Sequence, residues 1–549
     1  MKEYTFQFDS RRSPVVSRGG IVAASQPLAV AAGLEMLAKG GSAADAAVAC
    51  AVALNVTEPG STGLGGDCFA LYYEASSRQI SALNGSGRAP ATLSLERLAK
   101  EGLVQPGPNA ELPPFHPYTI TVPGACAGWC DLLERFGKLP LAASLAPAIR
   151  LAEAGFPVTP VTSHFWRQAA SALLAHVPGG KELTIDGLGP RPGEIFRNPG
   201  LARTLEIIAS YGKSGFYTGK LADALVSAVR SAGGCLSEAD LADHTSTWEQ
   251  PIHVSYRGIN IWECPPNGQG LAALLGLNIL EGFDLASLPA LSTGRLHLEI
   301  EAMRLAFADA RGYVADPVFE PAPLDSLLSK DYADQRRKLI DVRKASLDQE
   351  RGTPIASSDT VYLSVVDQEG NACSFVNSNY MGFGTGIVPA GLGFSLQNRG
   401  HGFSLDPDHP NALAPGKRPY HTIIPAMATW AADESLYACF GVMGGFMQPQ
   451  GHVQVVVALV DDGLDPQAAL NQPRFCISAG TPSGGIALED GISPEVMLEL
   501  RDMGHPIVPV SGFERSVFGR GQIIQREPQQ GIFWAGSDPR ADGCAMTIV

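Results

Sequence analysis

The pattern of apolar and polar positions picks out a few elements along this chain before any chemistry is considered. Val361-Tyr362-Leu363-Ser364-Val365-Val366 is β-branched and apolar, which predicts a strand. Asp367-Gln368-Glu369-Gly370-Asn371 supplies turn chemistry, because Gly and Asn tolerate positive φ, and Ala372 to Val376 reads as the return strand. The segment is therefore expected to be a hairpin with Thr360 at its head. The run AADAAVACAVALNV (43–56) is too short to span a bilayer and predicts a buried helix, with Ser42 and Asp45 forming a capping box at its start. Upstream, IVAASQPLAVAAGLEMLAKGG reads as strand, turn and helix. Arg295 to Tyr313 places Leu298, Met303, Leu305, Ala306 and Ala310 at helical spacing and stops at Gly312 and Asp316-Pro317.

Composition narrows the class. The 549 residues include 45% hydrophobic and 17% charged residues, the signature of a globular chain. The formal charge of −15 and a pI near 5.2 argue against nucleic acid or an anionic membrane as partners, since both require a cationic face. The N-terminal residues lack the apolar core of a signal peptide, and Arg11-Arg12 is followed by a segment carrying Gln, Pro and Glu, so a cytoplasmic location is expected. Ten cysteines are spread without a C-x-x-C pair. They read as reduced thiols rather than zinc ligands or a disulfide framework.

Common catalytic signatures are missing. There is no G-x-S-x-G elbow, no G-x-G-x-x-G after a strand and no H-E-x-x-H, and Gly212-Lys213-Ser214 has Ile207 where a P-loop needs Gly. Cofactor-free and metal-free chemistry is the expectation. Four glycine clusters do recur where elements should end: 58–67 (EPGSTGLGGD, followed by the strand-like CFALYY), 85–90 (GSGRAP), 382–386 (GFGTG) and 441–445 (GVMGG). Taken singly, each reads as a turn.

Together these pieces resemble the gamma-glutamyltransferase family of N-terminal-nucleophile hydrolases. VAASQPLAVAAGLEML, EPGSTGLGGDCFA, GRAP, VPGACAGW, EAMRLAFADARGYVADP, DTVYLSVVDQEGN, FGTGIV, APGKRP, GGFMQPQGH and SDPRADG fall in the family's order along nearly the whole chain. The resemblance implies an α/β (α+β) fold, a four-layer αββα sandwich, formed as one composite domain over residues 1–549. It also implies a precursor that cuts itself between Asp359 and Thr360, leaving a large fragment (1–359) and a small catalytic fragment (360–549) that stay associated. Thr360 would then be both nucleophile and, through its freed α-amino group, general base. Ser378 takes the place of the hydroxyl residue that bonds the nucleophile. Gly444 and Gly445 match the oxyanion-hole donors, and Arg88 matches the arginine that grips the substrate carboxylate.

The pocket departs from the family pattern. Tyr380 stands where a glutamate-binding Asn is expected, and Arg399 where a Gln is. Gly402 replaces an acidic residue, and His421-Thr422 replace paired serines. Without that acidic group a substrate ammonium loses its charge partner. The expected partner is therefore a small-molecule amide that carries a carboxylate but no α-ammonium, as for oxamate amidohydrolase-like members, with Arg399 and His421 as further anion contacts. A glutathione hydrolase or gamma-glutamyltransferase, a cephalosporin-type acylase, and an unprocessed non-catalytic binding module are the alternatives. The sequence leaves the oligomeric state open, a homodimer included.

Overall fold

A computed structural model describes residues 12–347, 359–481 and 483–548. Two seven-stranded antiparallel sheets stack face to face at its centre. One runs, in order of hydrogen-bonded neighbours, 544–547, 21–24, 359–366, 372–380, 67–74, 79–85 and 247–249. The other runs 15–17, 532–537, 520–527, 436–443, 426–430, 259–263 and 252–256. Each sheet therefore mixes strands from before and after residue 360.

Helices cover both outer faces and complete an α–β–β–α sandwich. The expected buried helix spans Ala43–Thr57, every residue of it buried, and its capping box is formed: Ser42 Oγ accepts the Asp45 N–H and the Asp45 carboxylate accepts the Ser42 N–H. It lies against the strands Asp359–Val366 and Ala372–Tyr380. On the opposite face, Gly270–Leu280 and Met447–Val460 pack over the second sheet, and Thr293–Tyr313 packs on Gly270–Leu280. The helix Thr293–Tyr313 starts two residues earlier than the sequence suggests, after an extended Ser292, and its end falls at Tyr313 as expected.

The sheets are joined by buried hydroxyls as well as by apolar packing. Tyr362 Oη bonds Ser364 Oγ (2.7 Å) and Ser374 Oγ (2.8 Å), while Ser364 Oγ donates across the interface to the Cys439 carbonyl (3.2 Å). Each hydroxyl so satisfied avoids the penalty of about 1–3 kcal/mol for a buried orphan. The ten cysteines all stand free, seven buried and three half-buried. Among the described residues, no helix is long and apolar enough to cross a membrane.

The hairpin that opens the second half of the chain forms as expected but with longer arms, Asp359–Val366 and Ala372–Tyr380. The Asp367 carboxylate closes its turn by accepting the N–H groups of Glu369 and Asn371, and Gly370 takes φ +86° there. The ladder slips at its open end, where Asp359 faces Tyr380 but Val361 faces Asn377. Thr360 and Ser378 both fall inside this bulge, a device that re-aims side chains at the end of a strand.

Candidate active site

Thr360 and Ser378 are fully buried, and their hydroxyl oxygens lie 3.1 Å apart. Ser378 Oγ also accepts the Tyr380 N–H (2.9 Å) and a proton from Arg399 Nη2 (3.3 Å). Tyr380 itself holds φ +78°, a left-handed conformation rare for a bulky residue, which ends the strand and turns its ring onto Arg399. The guanidinium carbon sits 4.3 Å from the ring centroid. Two of the family's departures, Tyr380 and Arg399, are thus packed on each other and against the hydroxyl beside Thr360.

Arg399 is fully buried in a tight turn, Arg399–Gly402. Its Nη1 donates to Thr422 Oγ1 (2.7 Å), while among the described residues its Nε and the Tyr380 hydroxyl have no protein partner. Burial pulls the Arg399 pKa down to about 10, with Tyr380 and Asp67 opposing it, so the group is still cationic at neutral pH. Burial likewise pushes the Tyr380 phenol up to about 12, and it remains a neutral donor.

His421 behaves differently from its expected role as an anion contact. Its Nδ1 accepts the Ile423 N–H (3.4 Å), which leaves Nε2 to donate to Asp67 Oδ2 (3.0 Å). Burial, followed by the Arg399 charge, lowers its pKa to about 3. A neutral imidazole with both nitrogens engaged cannot hold a substrate anion. It orders Asp67 instead.

Asp67 is the hub that sequence reading missed. Its Oδ1 accepts the N–H groups of Gly87 and Gly124 (both 3.0 Å) and Gln397 Nε2 (2.9 Å). Burial works to raise its pKa, but the His421 bond and the charge of Arg399 outweigh that and hold it below the usual value. The only sequence signal for it is its place at the end of a glycine run. That run is needed because the chain here touches other backbone: a Cβ on Gly66 would collide with the Ser378 carbonyl.

Gly444 and Gly445 follow the strand Leu436–Met443 and precede the helix Met447–Val460, with φ of +133° and +59°. A Cβ on Gly444 would stand 3.2 Å from Gly519 Cα, in a conformation an L-residue rarely adopts. Among the described residues neither N–H has a protein acceptor, as donors kept for an oxyanion require. Arg88 is half-buried and bonds the Thr245 carbonyl (3.3 Å), which Arg418 also reaches (3.4 Å). No described contact joins Arg88 to Thr360, Ser378 or Arg399; its link to the site is through Gly87 and Asp67. Asp359 occupies its strand position opposite Tyr380.

One group elsewhere has the chemistry of metal ligands: His297, Glu301 and His505, all buried. There His297 Nδ1 bonds His505 Nε2 directly (2.8 Å), and the Arg304 guanidinium lies 3.4 Å from Glu301. A cation among them would face that charge and displace that bond, so the cluster fits a buried hydrogen-bond chain.

Comparison with known proteins agrees with this geometry. The gamma-glutamyltranspeptidase family model matches residues 29–548. The glutathione hydrolase-like YwrD proenzyme of Bacillus subtilis is 35% identical, over 97% of this chain and 99% of its own. The oxamate amidohydrolase proenzyme of Klebsiella pneumoniae is also 35% identical, over 96% and 98%. The cephalosporin acylase structure from Bacillus halodurans superposes with a TM-score of 0.91 at 44% identity, covering 100% of this chain and 99% of that one. With these matches and the N-terminal-nucleophile sandwich described above, the chain belongs to the gamma-glutamyltranspeptidase family.

Proposed function

We propose that this protein is a self-processing N-terminal-threonine amidohydrolase that cleaves the amide of a small, carboxylate-bearing substrate of the oxamate type. Thr360 Oγ attacks the amide carbonyl, and its proton passes to the α-amino group released when the Asp359–Thr360 bond is cut. The Gly444 and Gly445 N–H groups take up the negative oxygen. Collapse expels ammonia, which receives that proton, and leaves a threonyl ester. Water, deprotonated by the same amine, then opens the ester. In the precursor the same hydroxyl attacks the Asp359 carbonyl; collapse breaks the peptide C–N bond, which frees the amine and leaves an ester, and water then opens the ester to release the Asp359 carboxylate and restore the Thr360 hydroxyl.

The observation that carries the substrate reading is the buried guanidinium of Arg399, whose Nη2 lies 3.3 Å from Ser378 Oγ and whose Nε has no partner among the described residues. Since Ser378 Oγ is 3.1 Å from Thr360 Oγ1, a carboxylate held by Arg399 must sit close to the scissile carbon. A one-bond spacing between carboxylate and amide meets that condition without folding the substrate. A substrate ammonium at roughly 6 Å from this guanidinium would instead be repelled by about 2–3 kcal/mol at an effective dielectric near 20. Asp67, the carboxylate whose charge reaches Arg399, already accepts hydrogen bonds at both oxygens from groups of the protein.

The 44% identity to a cephalosporin acylase supports a second reading, a longer dicarboxylic acyl group. Ammonia release from oxamate, set against release of the dye from a gamma-glutamyl anilide, separates these classes from a glutathione hydrolase. The proposal expects kcat/KM at least ten-fold higher for oxamate. Equal or better turnover of the glutamyl compound contradicts it.

A further inference from the structure

Gln269, in the segment CPPNGQG (264–270), joins the two halves of the site. It is fully buried at the start of the helix Gly270–Leu280. Its Nε2 donates to two carbonyls, those of Thr422 (2.6 Å) and Gly445 (2.8 Å), and its Oε1 accepts the Tyr420 hydroxyl (3.1 Å). Its own N–H donates to the His421 carbonyl (2.9 Å). Every hydrogen-bonding atom of the side chain is therefore fixed, and the amide can take only one orientation: the nitrogen must face the two carbonyls and the oxygen must face the phenol.

The two acceptors have different jobs. Thr422 carries on its hydroxyl the Nη1 of Arg399, the proposed carboxylate anchor. Gly445 is half of the proposed oxyanion loop, and its carbonyl also accepts the Gln448 N–H (3.1 Å), in the first turn of the helix that follows. Gly444 and Gly445 both sit at positive φ, where the backbone alone does not choose a single geometry. An external bond to the Gly445 carbonyl fixes the following peptide plane. The same nitrogen ties that plane to the segment bearing the anchor.

We propose that Gln269 is a positioning residue that holds the oxyanion loop in register with the carboxylate anchor, so that a substrate gripped by Arg399 presents its carbonyl oxygen where the glycine N–H groups point. The inference rests on the reading of Thr360 as nucleophile and Arg399 as anchor. A misplacement of about 1 Å at such a site lowers turnover by about 10²-fold. Binding of the carboxylate, which needs only Arg399, is less affected.

The test is steady-state kinetics on oxamate, with the processed enzyme for wild type, Gln269→Glu, Tyr420→Phe and Thr422→Val, and with the uncut chain for Thr360→Ala. Gln269→Glu keeps the shape and the acceptor for Tyr420 but removes both donors; kcat should fall 10- to 100-fold with KM within about three-fold. Tyr420→Phe removes only the hydroxyl that orients the amide, and should lower kcat a few-fold with KM unchanged; it carries the test if the first variant does not fold. Combining Gln269→Glu with Thr422→Val should cost less than the product of the single effects, because both break the same link. A folded Gln269→Glu variant with wild-type kcat, a loss confined to KM, or multiplicative effects in the double variant would overturn the inference. Residual turnover by Thr360→Ala would instead overturn the nucleophile assignment beneath it, so the two failures are distinguishable.

Discussion

Replacing Arg399 with Gln tests the substrate reading through its own energetics. The substitution removes a fully buried cation and leaves two neutral hydroxyls, Ser378 Oγ and Thr422 Oγ1, both able to bond a side-chain amide. The fold should therefore tolerate it. A desolvated carboxylate that loses its guanidinium partner forfeits about 2–5 kcal/mol, which lowers kcat/KM for oxamate by roughly 30- to several thousand-fold. For a gamma-glutamyl substrate the sign reverses. Relief of about 2–3 kcal/mol of repulsion on its ammonium should raise kcat/KM, so the ratio of the two activities moves from both sides. The assay is coupled ammonia detection for oxamate and dye release for the glutamyl anilide, on the same processed preparations. Undiminished oxamate hydrolysis in Arg399→Gln would refute the reasoning, as would a common factor of loss for both substrates.

Further outcomes follow from the same geometry. The buried Arg399 cation bonds the hydroxyl beside Thr360 and should disfavour the charged form of the Thr360 α-amine, so Arg399→Gln should move the acid limb of the kcat/KM profile upward. His421 is held near 3 when folded against an ordinary 6.5, so its contribution to stability is complete above pH 6.5 and is lost as pH falls toward 3. The urea-unfolding difference between wild type and His421→Asn should accordingly be larger at pH 7.5 than at pH 5.5; a constant difference would mean the imidazole charges in place. Gly444→Ala, which puts a Cβ 3.2 Å from Gly519 Cα at φ +133°, should lower kcat by about 10²–10³-fold in pre-formed enzyme, as removal of one oxyanion donor does.

How much of this was legible in the sequence depended on whether the signal was local. The hairpin around 361–376 and the capped helix at 43–57 were readable because β-branched runs, turn residues and capping boxes act over a few neighbours. Thr360, Ser378 and the Gly444-Gly445 pair were proposed from motif order, and the structure brings the first two into contact inside a bulge that no local pattern predicts. Asp67 and Gln269 escaped notice because their roles exist only after folding. Asp67 gathers donors from residues 87, 124, 397 and 421, and Gln269 links residues 420, 422 and 445. The neutral state of His421 was not legible for the related reason that its burial and its partner, 354 residues away, decide its charge.

The central claim is that Thr360 is created as an N-terminus by the chain itself and then performs the chemistry. N-terminal sequencing with intact-mass analysis of the purified protein, alongside Thr360→Ala, tests it most directly. The account predicts two fragments for wild type, the smaller beginning Thr360-Val361-Tyr362 and ending at residue 549, and one uncut, inactive chain for the variant. An active wild-type protein that remains a single chain across Asp359–Thr360, or a variant that is cut there as wild type is, would contradict it.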